Sequence, residues 1–187
     1  MNENIELEYK VLVSDEQFSR LMEAYPPEET VIQINHYFDD SEFSNLNRHR
    51  VIRIREFPDS YEFTMKYYDE SHDLHEISKP MSDRNLSADP ELCSFLNDCS
   101  VNPDSLKEFA CLRTERRIHR DGYGELCFDR NTYADTEDLE IEYEMIYPCD
   151  DFYERFLEII KKADIEYQPS KPKIMRCYLH SVAQKHN

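Results

Sequence analysis

Apolar and polar residues alternate in several stretches of the chain that are separated by short turns. Strict alternation is typical of a β-strand with one face buried and the other exposed. The pattern predicts eight strands, over residues 5–10, 31–39, 51–57, 61–68, 73–81, 112–120, 124–133 and 139–147. Because turns as short as residues 58–60 and 121–124 join neighbouring strands, we expect the sheet to be antiparallel.

A helical period of apolar residues appears in fewer places. It predicts helices over residues 14–25, 87–99 and 150–164, and a short helix within residues 105–112. Ser14 stands three residues before Gln17, which is a capping-box pattern. Asp89 and Pro90 have the types preferred at the N-cap and at the first helical position. With no repeat and no linker, we expect a single α+β, β-dominated domain over residues 1–187.

The composition limits the classes of partner. The net charge is −18, which argues against a broad basic surface for nucleic acid or for anionic membranes. No apolar run has the length of a membrane span, and the first residues lack the pattern of a secretory signal. Six cysteines without a CxxC motif are expected to be free thiols, so we expect a cytoplasmic protein.

Charged residues occupy one face of the predicted strands, and the two signs are largely segregated by strand. Carboxylates cluster at Glu6, Glu8, Glu140 and Glu142. Lys10 ends the strand of Glu6 and Glu8, and other strands carry Arg53, Arg55, Lys66 and Arg116. One explanation is an ordinary antiparallel sheet whose polar face is in water. The other is a charged cavity, with the apolar face of residues 5–10 packed outward against the fold.

The residue types favour a site that holds a metal ion against a polyanion. The planar guanidinium of Arg matches two phosphate oxygens at once, and Lys supplies a point charge. Mg²⁺ prefers carboxylate and water oxygens. Clustered glutamates are costly to bury unless a cation neutralises them. An eight-stranded barrel is wide enough to hold one small ligand.

These residues resemble the CYTH domain family, also called the triphosphate tunnel metalloenzymes. The family motif E-x-E-x-K is present as Glu6-Leu7-Glu8-Tyr9-Lys10. Further segments match the family in the family's order: residues 37–40, 52–55, 63–66, 74–77, 113–117, 126–133, 139–144 and 171–178. The chain resembles small bacterial single-domain members of the family that are often labelled as adenylate cyclases.

The resemblance implies a fold and a set of site residues. The fold would be a closed eight-stranded antiparallel β-barrel that forms a tunnel, with helices outside. Mg²⁺ or Mn²⁺ would be bound by Glu6, Glu8, Glu76, Asp129, Glu140 and Glu142. The phosphates would be bound by Lys10, Arg53, Arg55, Lys66, Arg116 and Lys173. The catalytic set would be Glu6, Glu8, Lys10 and Glu142, and membership stays open for Glu144, Lys171, Lys79, Arg48 and Arg50.

The implied function is metal-dependent hydrolysis of a small-molecule triphosphate, with inorganic triphosphate as the expected substrate. The fold alone does not choose among the activities of the family. Alternatives are a class IV-type adenylate cyclase acting on ATP, a thiamine triphosphatase, and a non-catalytic module that binds nucleotide or polyphosphate. The physiological substrate, the metal preference and the oligomeric state remain open at this point.

Overall fold

Strands make up most of the regular structure in residues 1–185, the part of the chain that the computed structural model describes. The strands are β1 Asn2–Ile5, β2 Glu8–Leu12, β3 Glu29–Asp39, β4 Val51–Phe57, β5 Ser60–Tyr68, β6 Leu74–Met81, β7 Lys107–Arg120, β8 Gly124–Tyr133 and β9 Thr136–Met145. The helices are α1 Asp15–Ala24, α2 Pro90–Asp98, α3 Phe152–Lys161 and α4 Lys173–Lys185. The strand order is β1-β6-β5-β4-β3-β7-β8-β9-β2, so the β-dominated α+β class is confirmed.

The described residues form two compact units. Unit 1 contains Met1–Ile5, Ile34–Cys111 and the chain from Cys177 onward, and unit 2 contains Glu6–Gln33 and Leu112–Arg176. The single domain predicted over residues 1–187 stays a prediction, and residues 186 and 187 lie outside the described part. None of the helices within residues 1–185 combines the length and the apolar composition needed to cross a bilayer.

Unit 1 buries one face of its strands under α2. Strands β1, β6, β5, β4 and the C-terminal part of β3 pair antiparallel in that order. Ile54, Phe63 and Met65 project from one face of these strands and form a core with Leu92 and Leu96 of α2. Because side chains alternate between faces, the residues next to them, including Arg53 and Thr64, project from the opposite face.

Unit 2 repeats this arrangement with different elements. Strands β7, β8, β9 and β2 pair antiparallel, and the Glu28 N–H at the start of β3 donates to the carbonyl of Ile118. The apolar face carries Phe128 and Ile141, and α1 and α3 cover it. The opposite face of the same strands carries the charged residues described below.

The predicted helix caps are present. The Ser14 hydroxyl accepts from the Gln17 N–H at 3.3 Å, and the Gln17 side chain accepts from the Ser14 N–H at 3.0 Å. At α2, Asp89 accepts from the Leu92 N–H at 3.0 Å, and Pro90 is the first helical residue. These local signals therefore define where α1 and α2 begin.

The predicted strand over residues 5–10 is divided in two, which raises the number of strands from eight to nine. β1 pairs with β6, whereas β2 pairs with β9, and Glu6 and Leu7 lie between them. At Glu6 and Leu7 the backbone changes its pairing partner from β6 to β9, so the strand is interrupted there. The expected outward-packed apolar face was also wrong in part: Ile5 is 66% exposed and Leu7 38%. Only Tyr9 packs against the core.

One other prediction is wrong, and one helix was not predicted. The short helix expected within residues 105–112 is instead a 3-10 turn followed by the long strand β7. Ala110, Leu112 and Thr114 are buried there at every second position, which is the period of a strand. The C-terminal basic segment, residues 171–178, lies mainly in α4, a helix that the prediction omitted.

Candidate functional site

On the charged face of unit 2, acidic and basic residues of neighbouring strands lie opposite one another. Glu142 of β9 lies opposite Lys10 of β2, and Glu140 lies opposite Asp129 of β8. Arg116 of β7 is paired with Asp129 on the other side. All five side chains therefore project from the face opposite the apolar core.

Three of these carboxylates converge on a single ammonium group. The Lys173 Nζ lies 2.6 Å from Asp129 Oδ2, 2.7 Å from Glu142 Oε1 and 3.1 Å from Glu140 Oε2. Asp129 and Glu140 are fully buried, and Glu142 is 6% exposed. We call Asp129, Glu140 and Glu142 the carboxylate cluster. Buried carboxylates of this density need a cation close to them.

Two arginine side chains, Arg116 and Arg176, also compensate the negative charge of the carboxylate cluster. Arg116 donates to the two oxygens of Asp129 at 2.8 and 2.7 Å and also contacts Glu142. Arg176 donates to the two oxygens of Glu140 at 2.9 and 3.1 Å and to Asp138 at 2.8 Å. Each arginine therefore forms a forked, charge-assisted pair with one member of the cluster.

These contacts shift the pKa values of Glu142 and Lys173. Burial alone would raise the pKa of Glu142, but the charges of Lys173, Arg116 and Lys10 hold it well below its ordinary value. Burial alone would lower the pKa of Lys173, but the carboxylates around it hold its pKa well above the ordinary value. Glu142 is therefore ionised throughout the neutral pH range.

The donor set fits a hard divalent cation. Three carboxylate oxygens already lie within 3.1 Å of one positively charged atom. Mg²⁺ and Mn²⁺ bind through such oxygens and complete their coordination with water. Glu8 contacts Lys10 and lies opposite Glu144, which adds two carboxylates at the same side of the face. Opposed like charges are unfavourable without a cation.

The charged face of unit 1 is basic. Arg53, Arg55 and Lys66, which we call the arginine face, alternate with the core residues of β4 and β5. Lys66 Nζ lies 3.0 Å and Arg53 Nη2 3.5 Å from Glu76 Oε2, and Arg55 donates to Asn35 at 3.2 Å. Burial would raise the pKa of Glu76, but Lys66 and Arg53 lower it below its ordinary value.

Hydrogen-bond donors of the arginine face are left without acceptors. Within the described residues, Arg53 Nε and Nη2 and the Thr64 hydroxyl are buried and have no hydrogen-bond partner. The 3.5 Å approach of Arg53 to Glu76 is therefore electrostatic only. Arg53 and Thr64 are directly paired across β4 and β5. Unmatched buried donors are costly, and an anionic ligand would satisfy them.

The structure places the remaining predicted residues as follows. Glu6 lies half-buried in the link between β1 and β2, outside both registers. Glu76, predicted as a metal ligand, contacts Lys66 and Arg53 and serves them as counter-ion. Lys79 pairs with Phe63 in register and so projects from the apolar face, where it contacts Asp89.

The other open positions are outside these clusters. Arg50 donates to the carbonyl of Cys99 at 2.9 Å, and Arg48 is exposed. The Lys171 side chain is exposed, and its carbonyl accepts from Arg176 at 2.6 Å. Glu144 lies 4.0 Å from Arg116 at the edge of the charged face.

Sequence reasoning missed Arg176 and Ser170. Ser170 donates to Glu140 at 2.6 Å, so Glu140 has three partners from the segment around α4. If residues 171–178 had been interpreted as a helix, Arg176 would have been placed on the same face as Lys173, because the two residues are three positions apart. Ser170 carries no comparable signal.

The described strands thus carry a buried carboxylate cluster in unit 2 and a basic face in unit 1. The model of the CYTH domain family matches residues 4–178, and the chain belongs to this family.

Individual relatives match nearly the whole length of the chain. The chain is 28% identical over 190 residues to the Bacillus subtilis (strain 168) protein named "Putative triphosphatase YjbK", covering 95% of this chain and 96% of that protein. A Bacillus halodurans crystal structure described as "a putative adenylate cyclase" is 31% identical, with a TM-score of 0.83 and coverage of 94% and 98%. The Hippeastrum protein HpAC1, described as a "putative adenylyl cyclase" with a dominant triphosphatase activity, is 19% identical, with a TM-score of 0.76 and coverage of 94% and 96%. At that identity the Hippeastrum likeness concerns the fold.

Proposed function

We propose that this chain is an enzyme that hydrolyses inorganic triphosphate to diphosphate and phosphate with Mg²⁺ or Mn²⁺. The observation that carries the proposal is the convergence of Asp129, Glu140 and Glu142 on one cation position. The Bacillus subtilis relative is named a triphosphatase, which supports hydrolysis of a triphosphate. In a protein that only bound an anion, the carboxylate cluster would contribute to stability alone.

Asp129, Glu140 and Glu142, with Glu8, are the groups that would hold the metal ion. When bound, the ion would neutralise phosphate charge and polarise the phosphoryl group. The Lys173 ammonium would then give up its place among the carboxylates and become available to a phosphate oxygen, as predicted from the sequence. The metal-binding roles predicted for Glu6 and Glu76 stay predictions.

Arg53, Arg55 and Lys66 would bind phosphate oxygens. The unmatched N–H groups of Arg53 are the direct support for this role. Charge-assisted pairs to phosphate would hold the chain of phosphoryl groups in line for attack by water. Water would add to the terminal phosphorus and lose a proton to solvent, the bond to the bridging oxygen would break, and diphosphate would leave with the electron pair of that bond.

Adenylate cyclase activity is the second candidate, because the Bacillus halodurans relative carries that description. In that reaction the ribose 3′-oxygen of ATP attacks the α-phosphorus and diphosphate leaves. The same carboxylates and cations would serve it. It also needs a pocket for adenine, for which residues 1–185 offer no marked set of side chains.

A substrate panel separates these functions. Phosphate release would be measured with inorganic triphosphate, thiamine triphosphate and ATP, each with Mg²⁺ and with Mn²⁺, and the ATP reaction would be analysed for cyclic AMP. The proposal expects fast, metal-dependent hydrolysis of inorganic triphosphate. Cyclic AMP as the main product would replace it with the cyclase. Binding of triphosphate without turnover of any substrate would leave a binding module.

The predicted absence of nucleic-acid and membrane partners and the cytoplasmic location stay predictions.

A further inference from the structure

A second group of metal-binding side chains lies in unit 1 and takes no part in the proposed reaction. It consists of His36 on β3 and of Glu108 and Cys111 on β7. One ligand atom from each residue lies within 4.8 Å of the other two. The His36 ring is 4% exposed, whereas Glu108 and Cys111 are open to solvent.

The imidazole of His36 is held between two carboxylates. Its Nε2 lies 3.2 Å from Glu56 Oε2, and its Nδ1 lies 3.0 Å from Glu108 Oε1. When Nε2–H donates to Glu56, the lone pair of Nδ1 is directed toward Glu108 and Cys111. A carboxylate behind the second ring nitrogen is the usual support of a metal-binding histidine, since it fixes the tautomer and the ring orientation.

We propose that His36 Nδ1, Glu108 Oε1 and Cys111 Sγ bind a divalent transition-metal ion of the Zn²⁺ type, with water as the fourth ligand. Zn²⁺ accepts nitrogen, sulfur and carboxylate oxygen in a tetrahedral site. Mg²⁺ does not select thiolate or imidazole, so this site differs in metal class from the carboxylate cluster. Binding converts the Cys111 thiol to thiolate, and its proton passes to solvent.

The positive charge of Arg84 lies beside the proposed site and disfavours metal binding there. Its Nη1 lies 3.2 Å from both ring nitrogens of His36, and its Nε lies 3.9 Å from Glu56. Its side chain is 49% exposed, so it can move into solvent when the ion binds. A guanidinium beside the ring repels a divalent cation, so replacing Arg84 with an uncharged residue strengthens metal binding.

Cobalt absorption tests the proposal, because thiolate coordination to Co²⁺ gives an ultraviolet charge-transfer band. The chelator-treated full chain would be titrated with Co²⁺, and Zn²⁺ would then be added to displace it. We expect one equivalent of Co²⁺ to produce the band and Arg84→Gln to bind several-fold more tightly. Cys111→Ser should abolish the band. The matched control Cys149→Ser should keep it, since Cys149 is also a thiol beside a carboxylate, 2.8 Å from Asp151.

Absence of the band in the wild-type chain, or its persistence in Cys111→Ser, would overturn the proposal. Cys111 is exposed, so its serine variant should fold normally, which circular dichroism would verify. Glu142→Gln distinguishes this site from the site of hydrolysis. It should lose metal-dependent turnover while the cobalt–thiolate band stays unchanged, and loss of the band in that variant would also contradict the proposal.

Discussion

The carboxylate cluster of unit 2 and the arginine face of unit 1 differ in how their charges are compensated. In the carboxylate cluster, Lys173, Arg116 and Arg176 provide a cationic partner for every member. In the arginine face, Arg53 keeps two buried nitrogens without an acceptor among the described residues. One region is satisfied in the absence of ligand, and the other retains unmet hydrogen-bonding capacity.

This difference indicates what each region exchanges on binding. The carboxylate cluster can accept a metal ion only if Lys173 withdraws, so metal binding replaces one cation with another. The arginine face can accept phosphate oxygens without giving up a hydrogen bond at Arg53. Stability should therefore depend on the cations of the first region, and affinity for triphosphate on those of the second.

The largest expected effect is that of Glu142→Gln on turnover. Loss of one carboxylate from a metal site should lower metal-dependent hydrolysis by at least about 100-fold. Steady-state phosphate release, with circular dichroism as a check on folding, would measure it. Glu137→Gln is the matched control, because Glu137 is an exposed residue of the same strand. Wild-type turnover in Glu142→Gln would remove this residue from the site.

Lys173→Met should destabilise the metal-free protein. Three buried carboxylates would lose their shared cation, which typically costs about 3–5 kcal/mol of the free energy of unfolding. Urea unfolding in EDTA would measure the loss, with exposed Lys161→Met as control. Addition of Mn²⁺ should restore part of the stability, because the ion takes the place of the ammonium. An unchanged unfolding midpoint would show that Lys173 does not compensate the cluster.

Arg53→Ala should act on substrate affinity. Removal of a forked, charge-assisted donor should raise KM for triphosphate by about 10-fold to 100-fold. Exposed Arg113→Ala is the control. The KM of Arg53→Lys should lie between those of Arg53→Ala and Arg113→Ala, because lysine keeps the positive charge but lacks the paired donors of the guanidinium. An unchanged KM in Arg53→Ala would leave its unmatched nitrogens without a function.

Arg53→Met tests the difference between the two regions through the free energy of unfolding. Because the guanidinium is buried with unmatched donors, an apolar side chain of similar length should change the free energy of unfolding by no more than about 1 kcal/mol. Urea unfolding of Arg53→Met beside Lys173→Met tests this contrast. Equal, large destabilisation in both variants would show that the two regions do not differ in compensation.

The pH dependence of stability should reflect Glu142. Its pKa in the folded state lies well below the ordinary value of 4.5. Its contribution to stability is therefore complete above about pH 4.5 and is lost as the pH falls through the folded-state pKa. Urea unfolding in EDTA between about pH 3 and about pH 7 should show a smaller decline for Glu142→Gln than for the wild type. An identical decline in both proteins would contradict the shift.

The sequence predicted most features that depend on local patterns. β4 and β8 begin and end where the alternation predicts, and Ser14 and Asp89 cap α1 and α2. The division between β1 and β2 was missed because alternation continues through Glu6 and Leu7 while the pairing partner changes. Pairing partners lie far away in sequence, so a local pattern cannot show the exchange.

The candidate site was predictable to a similar degree. Strand alternation placed Glu140 and Glu142 on one face, and the resemblance to the CYTH family added Asp129. The register places Asp129 directly opposite Glu140. The role of Arg176 as a partner of the cluster was not predicted. Its position depends on α4, and residues 171–178 were interpreted as a basic segment, not as part of a helix. The group at His36 was missed because its members come from two strands separated by about 70 residues of chain.

The most direct test is a titration with Mn²⁺ in the absence of substrate, in a Cys111→Ser background so that only the carboxylate cluster is measured. Calorimetry would compare this protein with versions that also carry Glu142→Gln or Arg53→Ala. The account predicts that Glu142→Gln loses Mn²⁺ binding and that Arg53→Ala retains it. Full Mn²⁺ affinity in the Glu142→Gln protein would contradict the claim that the carboxylate cluster is the metal site.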